Sequence, residues 1–97
     1  MSQASVHQKA AAVRAHREAI EARVSDGTLT LQELFEESGA DPVLAETKLL
    51  GLVESIPDIG KVQTRRAFEA IGLAETVRVA ATSPAQRLQL AERLGLQ

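Results

Sequence analysis

The chain has 97 residues, enough for one domain with a modest core, and its 44 % hydrophobic and 25 % charged content is that of an ordinary globular protein. It has no Cys, which excludes a disulfide framework and a thiolate metal site, and no apolar run near the roughly 18 residues of a membrane span. Its formal net charge of −2 argues against a protein that coats a polyanion by bulk charge alone.

Aromatic residues are only 2 %, with neither Trp nor Tyr, so the core must be aliphatic. Abundant Ala and Leu with few β-branched runs favour an all-α fold. The first helix is expected over Ser5–Val24. Its apolar side is thin, formed by Ala10, Ala11, Val13, Ile20 and Val24, so its first half should project from the body. This divides the chain into a long, partly projecting helix, residues 1–24, and a helical domain, residues 25–97. The start has no apolar leader core, because charge flanks Ala10–Ala12, and an intracellular, cytoplasmic chain is expected. Asp26-Gly27 ends the helix.

Thr30 and Glu33 have the spacing of a capping box, and Leu31, Leu34 and Phe35 share a face of a short second helix that ends at Ser38-Gly39. Asp41-Pro42 is a cap followed by a first-turn proline, and it predicts a third helix running on to about Ser55. Its stripe of Leu49, Leu52, Val53 and Ile56 is ordinary core. Pro57–Gly60 breaks that helix, and the next spans Gly60 to Gly72 with Thr64, Ala67, Phe68 and Ile71 inward. Leu73–Thr82 is a connector anchored by Val77 and Val79. Ser83-Pro84 opens the last helix, where Gln86 completes a capping box and Leu88, Leu90 and Leu94 are the apolar positions. It stops at Gly95.

The segment from Ile56 to Arg66 holds the functional signal. Pro57 stops one helix, Ile59 turns inward, and Gly60 lets another chain come close to the backbone. The first amides of the following helix lack internal acceptors, and with the helix dipole they form an anion site. Lys61 lies in that first turn, with Arg65 and Arg66 one turn on. Phosphate held in this way positions a duplex without reading its bases. The spacing alone fits plain helix-to-helix packing equally well.

Charge is segregated along the chain. Residues 1–24 carry Lys9, Arg14, Arg17 and Arg23 against two acids. Residues 25–47 carry Asp26, Glu33, Glu36, Glu37, Asp41 and Glu46 with no base, and residues 48–97 carry seven bases against five acids. Local field rather than net charge decides where a polyanion binds.

The stretch Leu52–Gly72, LVESIPDIGKVQTRRAFEAIG, resembles the helix–two-turns–helix segment of the actinobacterial-type integration host factors, whose pattern is about LLESLPGVGKVRAKQIMERLGI. It keeps Glu54, Ser55, Pro57, Gly60, Lys61, Val62, Glu69 and Gly72, and weaker similarity extends over nearly the whole chain. The resemblance implies sequence-tolerant binding of double-stranded DNA, bending or compaction, support of a recombinase or integrase, and a place at the nucleoid. It puts the amides of Ile59, Gly60, Lys61 and Val62 against phosphate, with Lys61 and Arg65 at basic family positions; Arg66 is added from its position here. Asp58 stands where the family has a glycine, and it tolerates a left-handed backbone but opposes a phosphate. Of the family's run of three arginines after the hairpin only Arg78 remains, so DNA binding weaker than the family's is expected.

Arg14, Arg17 and Arg23 suggest a second DNA-facing surface on the first helix, or a solvated face. His7 and His16 are poorly spaced as ligands, so no metal site and no cofactor are expected. The acidic middle suggests a different class of function, a protein-interaction module with reduced or lost DNA binding; a solvated acidic face is the plainer reading. No nucleophile with an oriented base, and no nucleotide loop, is present, so an enzyme is not expected. A single-strand binder is disfavoured by the missing stacking aromatics. A monomer is expected.

Overall fold

Side-chain caps set three of the helix starts. In this computed structural model, which describes the backbone of residues 3–96 and the side chains of residues 9–96, the helices are α1 (Gln3–Ser25), α2 (Leu31–Ser38), α3 (Pro42–Ala45), α4 (Leu49–Glu54), α5 (Gly60–Ile71) and α6 (Pro84–Arg93). Thr30 starts α2 with a complete capping box, its hydroxyl accepting from the amide of Glu33 at 3.2 Å while Glu33 accepts from the amide of Thr30 at 3.0 Å. Asp41 caps α3 by accepting from the amides of Val43 and Leu44, with Pro42 in the first turn. Ser83 and Gln86 close the same box on α6.

The helices enclose one aliphatic core. Leu34, Leu44, Leu49, Leu52, Val53, Phe68, Val79 and Leu90 are buried almost completely, and each such side chain favours folding by about 1.5–3 kcal/mol. From α1 only Ile20 and Val24 enter this core among the described side chains, whereas residues 9–19 are exposed. The molecule is accordingly elongated, 47 × 25 × 22 Å. Arg87 of α6 lies over the Phe35 ring at 4.7 Å and donates to the Thr82 hydroxyl at 2.9 Å, tying α6 to α2 and the connector.

Two expectations are corrected. The third helix does not run unbroken from Asp41 to Ser55; it is interrupted at Glu46–Lys48. There the backbone takes partners from the connector: Leu49 N–H donates to Val77 O at 2.9 Å, and Val79 N–H to Thr47 O at 3.0 Å. Lys48 and Arg78 thus face each other in an isolated antiparallel bridge. The Thr47 hydroxyl donates back to Val43 O at 2.7 Å, and this side-chain bond closes α3 locally. The connector itself contains a single 3₁₀ turn, Val79–Ala81. Leu88, in turn, is not a core residue of α6 but is 62 % exposed, while Leu90 and Leu94 are buried. Residues two apart on a helix point about 200° apart, so a helix that buries Leu90 turns Leu88 outward.

Candidate nucleic-acid interface

Between α4 and α5 the chain makes two successive turns. Ile56 N–H donates to Val53 O at 3.1 Å, and Ile59 N–H to Ile56 O at 3.2 Å. Asp58 and Gly60 both adopt left-handed backbone, with φ of 69° and 76°. Asp is among the few L-residues that reach this region at small cost, so the hairpin keeps its shape with Asp58 in place. A Cβ at Gly60 would meet nothing within 4 Å, so the glycine is required by its φ, and the space over it is open. Ile56 and Ile59 are half-buried against the core, and the buried Thr64 hydroxyl donates to Gly60 O at 2.7 Å, fixing the first turn of α5.

The start of α5 differs from those of α2, α3 and α6. Its N-cap, Ile59, offers no side-chain acceptor, so the first amides of the helix are left without a cap. The Ile59 amide, expected to face phosphate, is already bonded to Ile56 O, which narrows the free set to Gly60, Lys61 and Val62. These groups lie at the positive end of a twelve-residue helix and have no acceptor within the chain.

The cations named from sequence fall into two states. Lys61 and Arg66 are exposed and have no acidic partner within 4 Å among the described residues. Arg65 is held between two carboxylates, Glu54 at 3.5 Å and Glu75 in closer contact. Arg78 donates to the Glu46 carbonyl and lies 3.8 Å from its carboxylate, at the junction of α3 and α4. On α1, Arg23 pairs with Glu37 of α2 at 3.2 Å, whereas Arg14 and Arg17 have no acidic partner among the described residues; the three do not form one free basic face. Exposed pairs of this kind contribute about 0–1 kcal/mol to stability, and each lowers the net positive charge that its arginine presents.

The acidic middle is engaged within the chain. Asp26 accepts from the amide and hydroxyl of Thr28, which lowers its pKa below the ordinary Asp value. Glu33 is lowered likewise by the amide and hydroxyl of Thr30. Burial pushes Asp41 upward, but the bond from His16 at 2.6 Å and the amides of Leu44 and Val43 outweigh it, and its pKa is lowered. Glu36 accepts from Gln32, Glu37 from Arg23, and Glu46 faces Arg78. His16 is thus a partner of the α3 cap, and the His7 side chain lies outside the described residues. No group of three or more potential ligands gathers among the described residues, and no described helix is long and apolar enough to cross a membrane. A cleft of about 710 Å³ forms an apolar groove between α2, α6 and Pro57.

An all-helical chain in which a two-turn hairpin delivers an uncapped helix start is a helix–two-turns–helix protein. Residues 24–94 match the family model described as the S13-like H2TH domain. The chain is 30 % identical to the integration host factor of Mycobacterium tuberculosis over 95 % of its own length and 88 % of that protein. It is 29 % identical to the integration host factor of Streptomyces coelicolor, covering 95 % and 86 %. A solved structure described as sIHF bound to an 8 bp palindromic DNA superposes with a TM-score of 0.81 at 30 % identity, covering 91 % of this chain and 99 % of that one. The chain belongs to this family of actinobacterial integration host factors.

Proposed function

We propose that this chain is an architectural protein of double-stranded DNA, acting by binding and not by catalysis. It grips the phosphate backbone at the open start of α5 with little base readout, bends or bridges the duplex, and supports a recombinase or integrase at the nucleoid in the cytoplasm. It acts as a monomer. The observation that carries this reading is the uncapped N-terminus of α5, presented by left-handed Asp58 and Gly60 with unpaired Lys61 in its first turn. A related protein of the same fold, sIHF, has been solved bound to DNA. The acidic middle gives little support to a protein-docking role, because each of its six acids already accepts a hydrogen bond or faces an arginine inside the chain.

The test is Lys61→Glu. The side chain is exposed and unpaired, and an acid in the first turn of a helix is stabilising by about 0.3–1 kcal/mol, so the melting temperature should hold or rise by a few degrees. Duplex affinity should fall and the log–log salt slope should drop by at least about 0.9. Wild-type affinity of this variant at low salt would rule out the hairpin as the DNA-binding surface.

A further inference from the structure

The flank of α5 that faces α6 differs from the flank that carries Arg65. Arg65 and Arg78, both expected at the interface, are each held by acids. Arg66 and Arg93 have no acidic partner within 4 Å among the described residues, and both line one cleft of about 450 Å³ with Ile59, Val62, Gln63 and Ala67. Glu69 on α5 and Glu92 on α6 are nearby in sequence, yet neither forms an ion pair with these arginines. Val62, 65 % exposed, is an apolar side chain left in water beside these two cations. The cleft begins at Ile59, the residue that precedes the free amides, so it is continuous with the open start of α5.

We propose that this cleft is a second phosphate subsite for the same DNA strand, with Arg66 and Arg93 holding a phosphate next to the one at the hairpin and Val62 packing on the deoxyribose between them. This rests on the proposed DNA-binding function and gives it a direction: the backbone runs from the α5 start across the α5–α6 cleft, away from Arg65 and Arg78. Two guanidiniums with free forks match phosphate geometry. A strand that follows the cleft presents both anionic and apolar groups, and the lining supplies both cations and apolar side chains. Arg93 was not a candidate from sequence. As a cation in the last turn of α6 it looks like a helix-dipole partner, and only the packing of α6 on α5 brings it to Arg66.

The experiment measures duplex affinity against salt for wild type, Arg93→Gln, Arg66→Gln, Arg65→Gln and Lys61→Gln, with thermal melts of each. Arg93→Gln and Arg66→Gln should each lower the salt slope by about 0.9 and weaken binding roughly tenfold near 50 mM salt, with Arg65→Gln changing it less. Arg93→Lys should recover the slope but only part of the affinity, because a point charge replaces a fork. If Lys61→Gln weakens binding while both cleft variants bind as wild type, the cleft proposal is overturned and the hairpin reading stands. If those variants instead lose affinity for an acidic peptide and not for DNA, the cleft is a protein site and the proposal also fails. If Lys61→Gln has no effect but the cleft variants do, the hairpin reading fails and the cleft remains the DNA contact.

Discussion

The starts of α6 and α5 are built in opposite ways. At α6, Ser83 and Gln86 satisfy the first amides reciprocally and Pro84 occupies the first turn. At α5 no side chain caps the helix, and its entry uses two left-handed residues, one of them not a glycine. The first arrangement stabilises the helix by about 1 kcal/mol through its cap alone. The second forgoes that stabilisation and leaves donors for something outside the chain. The burden of holding α5 shifts to Thr64, Ala67 and Phe68, all buried, so the helix is secured from its middle and its start stays free.

Four changes can break or sharpen this contrast. The largest effect is expected from Gly60→Ala. The added methyl has room, so the cost comes from φ alone, about 1–2 kcal/mol, read in a denaturant melt; DNA affinity should fall with it as the turn is deformed. Ser83→Ala should cost about 1 kcal/mol in the same melt and leave DNA affinity unchanged; a loss of affinity would mean that the two helix starts are not functionally distinct. Asp58→Gly removes an exposed carboxylate two residues before Gly60 and relaxes a left-handed L-residue. It should strengthen duplex binding several-fold while changing stability by less than about 1 kcal/mol; unchanged affinity would place the Asp58 carboxylate away from DNA.

The smallest effect is pH-dependent. Asp41 has a lowered pKa in the folded chain, so the cap of α3 contributes fully above the ordinary carboxylate range. That contribution is lost as pH falls through the lowered value, where the unfolded chain has already bound its proton. Wild type should therefore lose stability on acidification more than Asp41→Asn does, a difference visible in melts at successive pH values.

Much of the fold was legible because it is local. Thr30, Asp41-Pro42 and Ser83-Pro84 declare helix starts within four residues, and Pro57–Gly60 declares the turn. The break at Glu46–Lys48 was not, because its cause is pairing with Val77–Val79, far along the chain, and nothing in the local spacing reports it. Leu88 was misplaced although its spacing from Leu90 puts the two on opposite faces of α6; the i, i+4 pair Leu90 and Leu94 marks the inward one. The site was half legible. Gly60 and Lys61 follow from turn chemistry and family resemblance, but the bond that removes the Ile59 amide depends on three-dimensional contact. So do the acids that hold Arg65 and Arg78, and the approach of Arg93 to Arg66.

The single bridge between Lys48 and Arg78 has a consequence for modularity. It brings the two ends of residues 49–77 to one place, so α4, the hairpin and α5 form a closed cassette whose entry and exit coincide. Closing a loop of about 30 residues costs on the order of 3 kcal/mol of chain entropy, and the bridge with the Val79 anchor offsets it at one point. Amide exchange across the cassette should then rise and fall as a unit, and α1 or α6 could change in length without altering the spacing inside the hairpin.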